Sequence, residues 1–204
     1  MLRVARWQYT QEVDEALRRH EKALRLIYDR ACQLHGTMTA KGVANTLLDE
    51  GCWAHFCTLF GLVDKDLTDR DANRAFACSR MRVVDGESEM GRIKLTHLAF
   101  EDFLEALCRC SVCKAWPARF EIYDKGTGNA GEHLLRLKSE DPEAHAELLQ
   151  KRAAGWGQSP LQPLAMCIEM LCELLIVTCK LRKGEGSLEL SEGEVSDFMK
   201  IGVQ

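Results

Sequence analysis

The chain has 204 residues, of which 46% are hydrophobic and 28% charged, and its formal net charge is −4. That length can bury the core of one domain or two small ones, and the mildly acidic balance argues against a dedicated nucleic-acid-binding protein. The first residues lack the apolar stretch of a secretory signal, which predicts a cytoplasmic protein whose ten cysteines stay reduced.

The first predicted element is a long amphipathic helix from Thr10 to Leu34. Its apolar residues recur at alternating steps of four and three, a spacing typical of a helix with one buried face. We favour a core-facing helix over a coiled-coil seam, because His20 and Ala31 weaken the heptad pattern. A short helix from Ala40 to Asp49 is predicted next, and Gly51 should end it.

Three more helices are predicted before residue 115. A short one contains Trp53–Phe60, and a second begins after the N-cap Thr68 and continues to Met81. The polar stretch 85–94 contains two glycines, which predicts a loop. A strongly periodic helix then extends from Phe100 to Lys114, where the following Trp116-Pro117 pair breaks it.

The second half begins with a glycine-rich stretch, and we predict a linker over residues 115–140. Asp141 and Pro142 are the N-cap and first residue of a further helix, and Ser191 with Glu194 forms a capping box for the last one. Sustained alternation typical of strands is missing. The sequence therefore predicts an all-α fold with a module at 10–114, the linker, and a C-terminal helical segment at 141–204.

The longest apolar segment is a predicted helix at 164–182. It approaches the length of a membrane span, but Glu169 and Glu173 would each cost roughly 2.5–3.5 kcal/mol at a bilayer centre, which favours a buried helix. A helix that is apolar on every side must be surrounded by protein. Because the chain itself offers limited cover, we expect Leu171, Leu175 and Val177 to face a partner.

A unit of helix, loop ending in one hydrophobic residue, and helix occurs twice, around Met38 and around Leu98. The stretch 98–107 resembles the end of an EF-hand loop with its exiting helix, and the stretch 38–48 resembles it more weakly. The order of aromatic and glycine landmarks also resembles the p25-alpha family and the EF-hand-like proteins of ciliary axonemes. Those landmarks are Trp53, Cys57, Gly61, Leu67, Thr68, Phe76, Leu98, Phe100 and Phe103.

Calcium binding in an EF-hand needs oxygen ligands at loop positions 1, 3, 5, 7 and 9 and a glutamate at position 12. With Leu98 at position 8, positions 1, 3, 5 and 12 are Gly91, Ile93, Leu95 and Asp102. With Met38 at position 8, they are Ala31, Gln33, His35 and Gly42. Two other acidic stretches, starting at Asp64 and Asp124, lack the closing acid. We therefore predict a calcium-free pair; a calcium-responsive regulator is the alternative.

Other chemistry has little support in the sequence. Cys110 and Cys113, just after Cys108, have zinc-compatible spacing, and Cys52 with Cys57 could supply a second pair, but the position of Cys110 and Cys113 within a helix favours a core role. Whether a structural zinc uses Cys108, Cys110 and Cys113 stays open. No motif of a catalytic nucleophile, a zinc protease or a phosphate-binding loop is present. We expect a protein that is not an enzyme and has no cofactor, catalytic residue or metal ligand.

The resemblance implies a non-catalytic structural or adaptor protein of a cilium, flagellum, axoneme or other microtubule-associated part of the cytoskeleton. Its expected partners are proteins of a large assembly, including tubulin or axonemal proteins, and neither nucleic acid nor membrane. Besides the apolar helix, the loop after residue 79 offers a basic docking surface. Its candidate residues are Arg80, Arg82, Arg92 and Lys94.

Overall fold

A computed structural model describes residues 10–33, 46–81, 88–124, 126–180 and 188–201. Within these ranges the regular structure is helical apart from one isolated antiparallel bridge, which confirms the all-α prediction. The helices are α1 (Gln11–Ala31), α2 (Glu50–Leu59), α3 (Asp69–Ser79), α4 (Glu89–Thr96), α5 (Phe100–Cys113), α6 (Arg119–Asp124), α7 (Ala130–Glu140), α8 (Pro142–Arg152), α9 (Leu164–Lys180) and α10 (Glu192–Ile201).

The predicted helix starts are confirmed by their capping contacts. Thr68 accepts a hydrogen bond from the amide of Asp71, and Asp141 accepts one from the amide of Ala144, each satisfying a backbone donor in the first turn of its helix. Before α10, the carboxylate of Glu194 accepts from the amide of Ser191, which completes the predicted capping box.

The first half of the chain forms two helix–loop–helix units whose loops pair with each other. Helices α1 and α2 form one unit, and α3 and α5 form the other, with α4 inside its loop. The backbones of Leu48 and Leu98 exchange two hydrogen bonds, of 3.0 and 2.8 Å, and both side chains are fully buried. The Tyr28 hydroxyl donates to the carbonyl of Leu98 at 2.9 Å and so ties α1 to this bridge.

An aromatic cluster fills the space between these helices. The ring of Phe103 on α5 lies 5.4 Å from Tyr28, 5.4 Å from Phe56 and 6.2 Å from Trp53, measured between centroids. The Trp53 indole donates to the carbonyl of Ala72 at 2.9 Å, so its polar group is satisfied inside the core. Phe103 is fully buried at the centre of this cluster.

Two local predictions in this half were wrong. The predicted loop at 85–94 is partly helical, because Ser88 caps the amide of Gly91 and starts α4. The helix predicted from Ala40 to Asp49 does not extend to its predicted end. Leu48 pairs with Leu98 in the bridge, and Asp49 is the N-cap of α2. Met38, which we placed at the loop's hydrophobic position, lies outside the described residues.

Helix α9 lies at the centre of the second half and packs against α1, α5, α7 and α10. A Cβ atom at Gly131 on α7 would lie 2.7 Å from the carbonyl oxygen of Glu173, so the two helix backbones meet closely there. No helix in the described ranges is long and apolar enough to cross a membrane. The described part of the predicted buried helix at 164–182 forms α9, and most of its residues are buried.

The structure differs from the expected division of the chain. Residues 115–140, expected to be a linker, contain α6 and α7, and α7 packs along α9 because its glycine permits a close approach. One apolar core is continuous from Val13 to Met199. The described parts of 10–114 and 141–201 therefore share buried surfaces.

Candidate functional site

The described part of the loop between α3 and α5 does not have the ligands or the shape that a calcium site needs. Gly91, Ile93 and Leu95 lie within α4, where the carbonyl of Ile93 accepts a hydrogen bond from the Thr96 hydroxyl and that of Leu95 accepts one from Arg80. At the closing position, the carboxylate of Asp102 accepts a hydrogen bond from the amide of Ala99 at 3.0 Å. Burial raises the pKa of this carboxyl. Asp102 therefore acts as a helix cap.

The bridge also changes the alignment of the first loop. With Leu48 at position 8, position 9 is Asp49 and position 12 is Cys52, whose thiol cannot replace a bidentate glutamate. The Asp49 carboxylate accepts the amide hydrogen of Cys52 at 2.7 Å and caps α2. The sequence alignment with Met38 at position 8 had assigned four other residues to this loop. Of these, Ala31 is the last residue of α1, and the Gln33 side chain accepts a hydrogen bond from Arg30, while His35 and Gly42 lie outside the described residues.

The cysteines considered for zinc are all buried in the core: Cys52, Cys57, Cys108, Cys110 and Cys113. Burial raises the pKa of the Cys108 and Cys113 thiols to about 12, which disfavours the thiolate that binds metal. No group of three or more His, Cys, Asp or Glu side chains in the described ranges is arranged to hold a metal ion. The cysteines act there as small apolar residues.

The apolar helix expected to face a partner is covered by the chain itself. Leu171 is 1% exposed and Leu175 is fully buried, while Val177 is half-buried. The cover comes from α1, α5, α7 and α10. Leu171 and Leu175 are therefore core residues in this chain and offer no surface for docking.

The other predicted docking residues do lie at the surface. Arg80, Arg92 and Lys94 are exposed, and Arg82 lies outside the described residues. The Arg80 guanidinium donates to the carbonyl of Leu95 at 3.1 Å, which brings the end of α3 beside α4. Met81 is 42% exposed and Leu95 37% exposed. These five residues, Arg80, Met81, Arg92, Lys94 and Leu95, are called the basic surface below.

A second surface lies on α6, where two aromatic side chains point away from the core. Phe120 is 62% exposed and Tyr123 is 72% exposed. The helix that carries them is held firmly, because the Glu121 carboxylate accepts from the Ala118 amide at 2.6 Å and from Arg152 at 3.1 Å. The exposed residues Arg119, Phe120 and Tyr123 are called the α6 face.

A cavity of about 400 Å³ opens beside the α6 face, between α1, α6, α9 and the start of α7. Its wall combines charged, aromatic and thioether side chains, so it contains both polar and apolar contacts. The charged, aromatic and thioether side chains of the wall are those of Arg19, Arg119, Tyr123, Met166, Met170, Glu169 and Glu173.

The two glutamates of this cavity have different electrostatic environments. Burial alone would raise the pKa of Glu169, but hydrogen bonds from His20 at 2.9 Å and Arg19 at 2.6 Å lower it to about 2. The pKa of Glu173 is raised by burial, against the effect of a hydrogen bond from the Ala130 amide at 2.8 Å. Glu169 thus joins α1 to α9, and Glu173 joins α9 to the first turn of α7.

The sequence pattern indicates neither the α6 face nor the cavity. The glycines that follow this segment predict a linker, which assigns no role to Phe120 and Tyr123. The available signal was their spacing of three residues in a stretch just after Pro117, which is compatible with one face of a short helix. Their exposure depends on how Arg152 and α9 hold α6, and that is a tertiary property.

Comparison with protein-family models, curated proteins and solved structures gives no match for this chain. What the chain does is therefore inferred from the geometry of its own residues.

Proposed function

We propose that this chain is a non-catalytic structural or adaptor protein of a large assembly, of the ciliary axonemal or other microtubule-associated kind. The observation that carries the proposal is the pairing of two helix–loop–helix units through the Leu48–Leu98 bridge. Such a pair, with α4 occupying the ligand positions of the second loop, fits a calcium-free EF-hand-like module.

The same geometry weighs against the alternative of a calcium-responsive regulator. A calcium switch needs an open loop whose oxygens gather around the ion and thereby shift the helices. Here the carboxylates of Asp102 and Asp49 accept hydrogen bonds from backbone amides at the starts of the exiting helices, and the aromatic cluster holds those helices together. The module is suited to a fixed shape that presents surfaces to a partner.

The basic surface is the docking surface that this proposal uses. Arg92 and Lys94 are exposed on one short helix, next to the partly exposed apolar side chains of Met81 and Leu95. Exposed cations close to exposed apolar side chains suit an acidic protein partner, because complementary charge speeds encounter and the apolar contact stabilises the complex. The acidic partner of the proposed assembly is the microtubule surface.

The direct test is sedimentation of the purified chain with polymerised tubulin at low salt. The chain should pellet with the polymer, and the double variant Arg92→Glu, Lys94→Glu should bind at least about tenfold more weakly. The charge-matched control Arg136→Glu, Lys151→Glu changes two exposed residues on α7 and α8 and should bind like the unchanged chain. Equal loss in both variants, or no binding by the unchanged chain, would contradict the proposal.

Calcium titration tests the module separately. Calorimetry of the full chain should detect no site tighter than about 10⁻³ M, the weak end of EF-hand affinities. Binding in the micromolar range would favour the calcium-responsive regulator instead.

A further inference from the structure

The α6 face has features of a binding surface that the proposed function does not use. Phe120 and Tyr123 project from a helix held by Glu121 and Arg152, so their positions are set before any partner arrives. Aromatic side chains presented in this way dominate many protein interfaces, because they bury a large area with little loss of conformational freedom. The α6 face is therefore a candidate site for binding another protein surface.

The cavity beside this face supplies a complementary shape on the same side of the molecule. Tyr123 and Arg119 belong both to the α6 face and to the cavity wall, so the protruding and recessed parts adjoin. Met166 and Met170 line the cavity as well, and flexible thioether side chains adapt well to an inserted aromatic ring. A protrusion next to a matching recess is what a self-complementary surface requires.

The charges of the surface are also self-complementary. The cavity wall contains two arginines, Arg19 and Arg119, and two glutamates, Glu169 and Glu173. Arg19 is already paired with Glu169, whereas Arg119 lies near Glu173, whose pKa its charge lowers, without a direct ion pair in the described ranges. A uniformly acidic or basic partner would meet like charges here. A partner that carries the same mixture can place each cation against an anion.

We propose that the α6 face and its cavity form the interface between two copies of this chain, related by a two-fold axis. In such an isologous interface each copy contributes the same patch. Phe120 and Tyr123 of each copy pack against the cavity mouth of the other, and Arg119 of each copy faces the carboxylates of the other cavity. The dimer leaves the basic surface unused, so it does not rest on the proposed function.

The available area predicts a weak dimer. A fully covered aromatic side chain buries about 150–250 Å², so Phe120 and Tyr123 offer roughly 100–170 Å² each. The four side chains of two copies together cover roughly 400–680 Å², so even with the cavity rim the interface does not exceed the low end of specific interfaces, about 1,200 Å². We expect dissociation in the range of tens of micromolar, roughly 10–100 µM.

Sedimentation velocity of the full chain, from about 1 to 300 µM, tests the proposal across the expected dissociation range. The unchanged chain should shift from monomer to dimer as concentration rises. The variant Phe120→Ser, Tyr123→Ser should stay monomeric, while the control Leu95→Ser, at an exposed residue of the basic surface, should dimerise normally. A monomer at every concentration, or a dimer that survives the double substitution, would overturn the proposal.

A second variant separates the interface from any loss of fold. Arg119→Glu reverses an exposed charge and should weaken dimerisation at least about tenfold, because it faces the carboxylates of the other copy. Circular dichroism should show unchanged helix content and melting for both variants, since the three side chains are exposed. The basic-surface variant Arg92→Glu, Lys94→Glu should dimerise like the unchanged chain, so the two proposals can fail independently.

Discussion

The helix–loop–helix half and the α9 half bury their surfaces in different ways. In the first, large aromatic rings around Phe103 fill the space between α1, α2, α3 and α5. In the second, the aliphatic and cysteine side chains of α9 contact four helices, and one of these approaches closely at Gly131. The first core is formed within one stretch of chain, whereas the second collects helices from both ends.

This difference makes the two halves unequal in independence. Helix α9 is covered by α1 and α5 from the first half as well as by α7 and α10. Helices α1 and α5 of the first half in turn bury part of their apolar surface under α9. We infer that the chain unfolds as one cooperative unit, although its sequence resembles a module followed by an appendage.

Removing the second half should have the largest effect. A chain truncated to residues 10–114 loses α9 and exposes the faces of α1 and α5 that it covers. We expect no cooperative thermal unfolding and a collapsed near-ultraviolet circular dichroism signal. A truncated chain with a sharp transition near that of the full chain would show that the first half is an independent domain.

Phe103→Ala should have the next largest effect, at about 3–5 kcal/mol of unfolding free energy, because it leaves a cavity among four aromatic rings. Urea denaturation of the full chain measures it. Phe120→Ala is the matched control, because Phe120 is 62% exposed and its removal should change stability by less than about 0.5 kcal/mol. Similar losses in both variants would contradict the assigned core.

Gly131→Ala tests the close approach in the second half. Its new Cβ would lie 2.7 Å from a backbone oxygen of α9, so the helices must separate, and we expect a loss of about 1–3 kcal/mol. Gly193→Ala in α10 is the control, because no atom lies within 4 Å of the added Cβ. Higher helix propensity should make that change neutral or stabilising by up to about 1 kcal/mol.

The smallest effect concerns pH and the contact between the two halves through Glu169. Hydrogen bonds from His20 and Arg19 overcome the effect of burial and lower its pKa from 4.5 to about 2. The stabilisation is therefore present above pH 4.5 and is lost as the pH falls from 4.5 towards 2. Because solvent reaches Glu169 and Arg19, we expect their contact to contribute about 1 kcal/mol to the free energy of unfolding.

Glu169→Gln checks this expectation, since it should flatten the dependence of unfolding free energy on pH within that window. The control Glu140→Gln removes an exposed ion pair with Arg136 and should leave the dependence in place. The same slope in the Glu169 variant and the unchanged chain would contradict the assigned contact.

Local sequence patterns predicted most helices but few of their contacts. Thr68, Asp141 and Ser191 identified helix starts correctly, because a cap depends only on residues within one turn. The loop predicted at 85–94 depended on its glycines, because glycine disfavours helices. In the folded chain Gly91 nevertheless lies inside α4 and is buried. The α6 face could not be found, because exposure depends on residues distant in sequence.

The sequence by itself determined that this chain is helical, where most helices begin, and that the helix at 164–182 must be buried, because periodicity and capping act over a few residues. Only the tertiary structure decided that Leu48 pairs with Leu98, that the chain's own helices cover α9, and that Phe120 and Tyr123 remain exposed. Those outcomes depend on which distant surfaces fit together, and no local pattern encodes that choice.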